Sequence, residues 1–310
     1  MEVGKQFADL NQYVQGMTTQ KVLNDKLFFF DELDQDVFSN CGCIVDFGCA
    51  DGVLLTEIYS RMHNKIGEDK DYRPHLPHGI CKYIGYDISE EMIKLANEKF
   101  PYDSYSYDLP YSTVRTDITF TSNWEEVKAD VDKVSKEYNR ILILSSVIHE
   151  VFAYMPEKEI DVFFNRILNE CDFTHIIIRD MMVSNDIVRV SNPKDVEKIL
   201  ANFTIPIDYR NMAAEYQNVW GSLNHNKNLV HFLLKYKWIV NWERELHENY
   251  FGITLEDFLE EIKNRSNDKY QVSYLKRFCP LKSSIKKTFD IDIVDDTHIK
   301  LIFTKKNLQG

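Results

Sequence analysis

The stretch 44–52, Ile-Val-Asp-Phe-Gly-Cys-Ala-Asp-Gly, constrains the fold of this chain more than any other. A short apolar run there gives way to small and acidic residues, and Val53 to Arg61 then follow with helical periodicity. Gly48 and Gly52 allow a tight turn and a close approach of the backbone to a ligand. The order strand, glycine loop, helix therefore predicts a loop that binds a nucleotide-type cofactor.

The spacing of the glycines argues against a dinucleotide cofactor. Counted from Gly48, the pattern Gly-x-Gly-x-x-Gly requires glycines where Ala50 and Val53 stand. Asp46, at the end of the strand, would repel a pyrophosphate and suits a cation instead. The loop resembles motif I of the class I S-adenosylmethionine (SAM) dependent methyltransferases, in which an acidic residue precedes Gly-x-Gly-x-Gly. The resemblance implies SAM as the cofactor, held by the residues Asp46, Gly48, Cys49, Ala50 and Gly52.

A second acidic residue follows the next apolar run. Tyr83 to Asp87 are predicted to form a buried strand, and Ser89 to cap a helix that begins at Glu90. In the family that the loop resembles, the acidic residue closing the second strand accepts hydrogen bonds from both ribose hydroxyls of SAM. The resemblance gives that role to Asp87, with Ile88 beside it, and a carboxylate suits the role because it only accepts. The alternative, a surface acid flanking the helix, is disfavoured by the β-α-β order.

The segment between these two acidic residues is longer than a minimal strand-helix-strand unit requires, which is about 20 residues. The excess in residues 63–82 is rich in Lys, Asp, His, Pro and Gly and is interpreted as a surface insertion. His75, His78 and Cys81 have a spacing compatible with a metal site, but a fourth ligand is not obvious nearby. An exposed proline-rich loop explains them equally well, so no metal site is predicted.

The third strand is predicted at Ile118 to Thr121. Asn123 and Trp124 follow it, at the edge where parallel sheets bind ligands, and are candidates for an adenine pocket. A helix N-cap and a core indole explain these two residues as well. Asp108 is a competing acidic candidate.

Arg140 to Leu144 are predicted to form the fourth strand. The residues after it resemble the segment of class I methyltransferases that faces the substrate, which implies Ser145 beside the cofactor and His149 and Glu150 near the acceptor. His149 and Glu150 are the candidates for acceptor contact or proton removal, since histidine titrates near neutrality. Alternatively this turn only caps a helix, because an activated sulfonium needs little beyond positioning.

The remaining strands complete the expected fold. Thr174 to Asp180 are predicted to form the fifth strand, and Phe289 to Val294 and His298 to Phe303 to form a terminal antiparallel hairpin. The expectation is an α/β fold with a seven-stranded, mostly parallel sheet, helices on both faces and a helical insertion. The predicted divisions are N-terminal helices in 1–40, a core in 41–184 and 285–310, and a helical cap in 185–284. The N-terminal helices either form a lid, with Tyr13 and Lys26 over the cofactor, or simply pack on a face of the sheet.

Composition limits the function classes. The net charge of −12 over 310 residues disfavours non-specific binding of nucleic acid, although five basic residues cluster near the C-terminus: Lys276, Arg277, Lys282, Lys286 and Lys287. No run approaches the ~18 apolar residues of a membrane span, and the N-terminus lacks the pattern of a signal peptide. Six scattered cysteines indicate reduced thiols, so a cytoplasmic location is predicted.

These observations predict a SAM-dependent methyltransferase whose acceptor is a small molecule or nucleotide-like compound enclosed by the cap. Two alternatives stay open at this point. One is methylation of RNA or tRNA, which an aromatic cap and a basic cluster would favour. The other is a partner subunit that binds SAM without turnover.

Overall fold

The computed structural model describes residues 20–64, 81–100, 118–203 and 211–306. Tyr13, Asp108, His75, His78 and most of the predicted 63–82 insertion lie outside these ranges. None of the helices in the described ranges is long and apolar enough to cross a membrane. All six cysteines lie within these ranges, buried and without a disulfide between them.

Seven strands form one sheet. The strands are β1 Cys41–Phe47, β2 Lys82–Tyr86, β3 Ile118–Thr121, β4 Asn139–Ser145, β5 His175–Met181, β6 Tyr270–Phe278 and β7 His298–Lys305. Their spatial order is β3-β2-β1-β4-β5-β7-β6. The first five run parallel, and β7 lies antiparallel between β5 and β6. The predicted fold class is confirmed.

Helices connect the strands and cover both faces of the sheet. Before β5 the α-helices are α1 Gln20–Lys26, α2 Phe29–Glu32, α3 Gln35–Ser39, α4 Val53–Asn64, α5 Glu90–Lys99, α6 Trp124–Asp132, α7 Ile148–Tyr154 and α8 Glu157–Asn165. After β5 they are α9 Pro193–Asn202, α10 Met212–Trp220, α11 Asn226–Lys235, α12 Trp242–His247, α13 Leu255–Arg265 and α14 Lys282–Phe289. A π-helical turn, Arg166–Glu170, extends α8, and short 3₁₀ turns lie at Asn185–Ile187 and Ile239–Asn241.

The sheet is buried on both faces at its centre. All seven residues of β1 are buried, and alternate residues of β1 and β4 belong to two separate apolar clusters. Val45 and Leu142 pack on one face, whereas Ile44 and Ile141 pack on the other. The chain turns to opposite sides after β1 and after β4, so a crevice opens at the carboxyl ends of these two strands.

The predicted terminal hairpin is wrong in one of its two strands. β7 pairs with β6, which ends before α14, and residues 290–297 form no strand. Ile291 and Ile293 alternate as a strand would, but they pack with the helical cluster that contains Ile285. β6 gave a weak sequence signal because it is an edge strand whose residues are mostly exposed.

The predicted cap segment 185–284 is therefore not wholly helical. It contains β6, and α13 packs against the sheet through Leu255, Phe258 and Ile262. The four helices α9–α12, called the cap helices below, surround an apolar cluster of their own. The 3₁₀ turn Ile239–Asn241 separates α11 from α12.

Candidate active site

A cavity of about 430 Å³ opens at the carboxyl ends of β1, β2 and β4. Its volume lies in the range of pockets that bind small molecules. Among the residues that the structure describes, five carboxylates and two cationic side chains line it: Asp46, Asp51, Asp87, Glu150 and Glu159, against Lys26 and Arg166. This balance favours a ligand that carries positive charge.

The glycine loop folds back against the end of β2. The backbone N–H groups of Gly48 and Cys49 both donate to the carbonyl oxygen of Tyr86, at 2.7 and 3.0 Å. Gly48 has φ of +78°, and a Cβ at that position would come within 2.5 Å of Val147 Cγ2. Ala50 keeps a positive φ of 47° although it is not glycine. Such backbone strain concentrates at functional sites, and here it places the loop at the cavity wall.

Asp46 brings a buried carboxylate to the cavity. Its side chain is almost fully buried, and no group in the described ranges makes a hydrogen bond to its Oδ2. Burial raises the pKa of this carboxyl to about 7, although the nearby Lys26 ammonium acts in the opposite direction. A buried acceptor without a partner is costly, so a ligand that donates to it would be stabilised.

Asp87 lies at the end of the neighbouring strand and is partly satisfied. Its Oδ2 accepts from Ala50 N and its Oδ1 from Ser89 N, both at 2.9 Å. Burial raises the pKa of this carboxyl, whereas the two backbone donors lower it. Each carboxylate oxygen can accept a second hydrogen bond, so Asp87 retains capacity for a ligand. Ile88 beside it lines the cavity and is 57% exposed.

The structure places most of the predicted cofactor residues at the cavity. These are Asp46, Gly48, Cys49, Ala50, Asp87, Ile88 and Ser145. Gly52 does not line it, but the position requires a glycine, because its φ is +79° and a Cβ there would lie 2.6 Å from the Phe120 ring. Ser89 caps α5 as predicted, by accepting from Met92 N.

Asn123 and Trp124 do not form the expected adenine pocket, and the structure corrects that expectation. Neither residue lines the cavity. The Asn123 side chain caps α6 by accepting from Glu125 N at 3.0 Å. The Trp124 indole is buried and donates to Glu170 Oε2 at 2.5 Å. Asn123 is a helix N-cap and Trp124 is a core indole, which is the alternative that the sequence left open.

A buried carboxylate, Asp180, holds the turn after β4. Its Oδ2 accepts from the backbone N–H groups of Val147 and Ile148, at 2.8 and 2.6 Å. Its Oδ1 accepts from Met181 N at 2.7 Å and lies 2.5 Å from His149 Nδ1. The sequence placed Asp180 at this edge of the sheet but gave no signal for this role, which depends on the adjacency of β4 and β5.

Of the two neighbouring residues His149 and Glu150, one is buried behind the cavity wall and the other faces the cavity. His149 is buried and does not line the cavity, whereas Glu150 does. Burial alone would lower the pKa of His149, but the Asp180 carboxylate raises it to about 9. Burial raises the pKa of Glu150, and the charge of His149 opposes that shift. Of the two predicted catalytic residues, Glu150 alone has its side chain at the cavity.

The cap contributes two charged side chains that meet this turn. Glu248 Oε1 lies 3.7 Å from His149 Nε2. Arg244 Nη2 lies 3.5 Å from Glu150 Oε1 and 3.6 Å from Glu248 Oε2. Glu248 was missed because it follows α12 without any motif.

The helical N-terminus and α7–α8 complete the cavity wall. Leu23 and Lys26 of α1 line it, as do Tyr154, Met155 and Phe163. Asp25, next to Lys26, pairs with Arg179 and Lys300 at 2.8 and 2.7 Å, so α1 is fixed to β5 and β7. Lys26 lies at the cavity wall, and both its covering of the cofactor and its role as part of a lid stay predictions.

Comparison with solved structures returned methyltransferases. The methyltransferase domain of bacterial CtHen1 is 12% identical over 96% of this chain and 99% of its own, with a TM-score of 0.42. The plantazolicin methyltransferase BamL, solved with a triazolic desmethylPZN analog and S-adenosylhomocysteine (SAH), is 12% identical over 96% of this chain and 89% of its own, with a TM-score of 0.45. Human N-acetylserotonin methyltransferase, solved with SAM, is 13% identical over 96% and 56%, with a TM-score of 0.43.

No protein-family model matches the chain, and no curated protein sequence matches it. The strand order of the sheet is β3-β2-β1-β4-β5-β7-β6. That order, with β7 antiparallel between β5 and β6, is the order of the class I methyltransferase fold that the sequence predicts.

Proposed function

We propose that this chain is a SAM-dependent methyltransferase. One observation carries the proposal: Asp46, which is buried, and Asp87, which is half-buried, lie at the ends of adjacent parallel strands beside the glycine loop, and both retain the capacity to accept hydrogen bonds from a ligand in one cavity. The acidic lining fits a cofactor that carries a sulfonium and an ammonium group.

The residues present fit SAM in three respects. Asp46 Oδ2 offers an unpartnered buried acceptor to a donor such as the ammonium group. Asp87 offers two oxygens to a ribose diol. Gly48 leaves space where a side chain would fill the turn. Asp46, Asp87 and the loop backbone are the groups that would hold the cofactor.

When bound, SAM supplies an activated methyl group on its sulfonium. The contribution of the protein is then to align the acceptor and exclude water. Glu150 is at the cavity and is assigned to acceptor contact, while His149 lies behind it as a positioning residue held by Asp180. The acceptor class proposed is a small molecule or nucleotide-like compound that reaches the cavity beside the cap.

The charges near the C-terminus do not favour RNA as the acceptor. Lys282 lies 3.4 Å from Asp296, and Lys286 lies 2.6 and 2.7 Å from Asp290 and Asp292. These pairs reduce the positive potential of the basic cluster. A partner subunit without turnover would need no polar groups at the acceptor end, where Glu150 and Tyr154 line the cavity.

The test is calorimetric titration of the purified chain with SAM and with SAH, alongside Asp87→Ala. Wild type should bind both in the micromolar range, and Asp87→Ala should bind at least about a hundredfold more weakly, since charge-assisted hydrogen bonds contribute roughly 1.5–3 kcal/mol each. Asp36→Ala, at an exposed position of α3, is the matched control and should bind like wild type. A wild-type chain that binds neither ligand would contradict the proposal.

A further inference from the structure

A mixed set of metal-ligand types lies between α7 and the cap. The ligating atoms of His149, Glu150 and Glu248 all lie within 4.8 Å of one another. Bonds of about 2.0–2.2 Å from nitrogen and carboxylate oxygen to a metal place ligand atoms roughly 3 to 4 Å apart. Shifts of about 1 Å at the ends of the two glutamate side chains would therefore bring all three atoms within bonding distance of one ion.

The histidine is already oriented as a metal ligand would be. His149 Nδ1 lies 2.5 Å from Asp180 Oδ1, and Asp180 is itself fixed by three backbone N–H groups. Metal-bound histidines commonly donate their second ring N–H to a carboxylate in this way. This contact directs Nε2 toward Glu248, at a distance of 3.7 Å that is too long for a hydrogen bond.

The charged groups around His149 include three carboxylates. Glu248 and Asp180 are buried carboxylates, and Glu150 shares their surroundings. The buried Lys235 donates to the backbone carbonyl oxygens of Glu245 and Glu248, not to the Glu248 carboxylate. Two cationic side chains meet the Glu248 carboxylate: Arg244 Nη2 lies 3.6 Å from its Oε2, and His149 Nε2 lies 3.7 Å from its Oε1. Buried charges of this kind are normally paired closely or bound to metal.

We propose that His149, Glu150 and Glu248 bind a divalent transition-metal ion, with Asp180 as the group that orients His149. One imidazole with two carboxylates suits Mn²⁺ or Zn²⁺ better than an all-oxygen cation such as Ca²⁺. The ion takes the place of the Arg244 guanidinium between the two carboxylates. Ion binding itself does not depend on the proposed function. Its role does, since Glu150 lines the cavity and an ion there would contact an acceptor oxygen.

The experiment uses the full chain after removal of metal with a chelator. Mn²⁺ is titrated calorimetrically into wild type, Glu248→Gln, Arg244→Met and Glu243→Gln, with Zn²⁺ in a parallel series. Wild type should bind one ion. Glu248→Gln should bind at least about tenfold more weakly, because a charged ligand is lost. Arg244→Met should bind about tenfold more tightly, because the competing cation is gone. Glu243, exposed on the same helix, provides the matched control.

If Glu248→Gln fails to fold, Glu150→Gln provides the same test at a less buried ligand. Absence of Mn²⁺ and Zn²⁺ binding up to millimolar concentration in wild type and in Arg244→Met would overturn the proposal. Equal affinity in wild type and both glutamine variants would overturn it as well. SAM binding is measured on the same samples, so failure of the metal site and failure of the proposed function give different results.

Discussion

Two buried carboxylates at one edge of the sheet have different roles: Asp46 on β1 and Asp180 on β5. Four donors surround Asp180: three backbone N–H groups and the ring of His149. Asp46 Oδ2, by contrast, has no hydrogen-bond partner in the described ranges. The oxygens of Asp180 are occupied by groups that shape the turn after β4. Asp46 Oδ2, in contrast, can still accept a hydrogen bond from a ligand. Burial of a carboxylate therefore does not by itself indicate a binding role; the number of donors already around it does.

Asparagine substitution should have different effects on the free energy of unfolding at these two carboxylates. Asp180→Asn puts an NH₂ group against backbone N–H donors whichever way the amide is turned, because both oxygens accept from such donors. We expect a loss of about 3–5 kcal/mol in the free energy of unfolding, as for a broken buried network. Asp46→Asn should change that free energy by less than about 1 kcal/mol at pH 4, where the folded chain holds this carboxyl protonated, because it removes no hydrogen bond to Oδ2.

Denaturant unfolding of both variants measures this difference in stability. Calorimetric titration with SAM then measures the cofactor affinity of each variant. Asp46→Asn should lose most SAM affinity while it stays folded. Similar destabilisation by the two substitutions would show that Asp46 has structural partners after all and would remove the contrast.

The pH dependence of stability sharpens the same comparison. The folded-state pKa of Asp46, about 7, lies above its ordinary value of 3.8, so the folded chain binds this proton more tightly than the unfolded chain does. The resulting stabilisation is complete below about pH 4 and is lost as the pH rises through 7. The unfolding free energy of wild type relative to Asp46→Asn should therefore fall by on the order of 3 kcal/mol between pH 4 and pH 8.

Denaturant unfolding of the two proteins at several pH values tests this expectation. Parallel curves for wild type and Asp46→Asn across that range would show that the Asp46 carboxyl titrates alike in the folded and unfolded chain.

The cofactor side of the site was accessible from sequence because its signals are local. Asp46, Gly48 and Gly52 lie within one short loop, and the apolar run before them and the helical period after them are also local. Asp87 ends the next apolar run, and the adjacency of β1 and β2 follows from the β-α-β order. Each of these steps needs only neighbouring residues.

The acceptor side could not be predicted in the same way, because contacts between distant segments build it. Asp180 reaches His149 only because β5 lies beside β4, and Glu248 reaches it only because the cap folds back over α7. β6 was missed for a related reason. An edge strand exposes most of its residues, so it lacks the buried alternation that identified the apparent strand at 289–294.

Substitution of Trp124 has the smallest expected effect and tests whether the cofactor-binding residues include those that follow β3. Its indole contacts Phe47 and Tyr86, with ring centroids 5.6 and 5.4 Å away, and donates to Glu170. Trp124→Phe should cost about 1 kcal/mol of unfolding free energy, because one hydrogen bond is lost while most of the apolar contact is kept. The SAM dissociation constant should stay within about twofold of wild type, since the indole does not line the cavity. A tenfold loss of SAM affinity without a larger loss of stability would support the original prediction that Trp124 contacts the adenine. The cofactor-binding residues would then include one that follows β3.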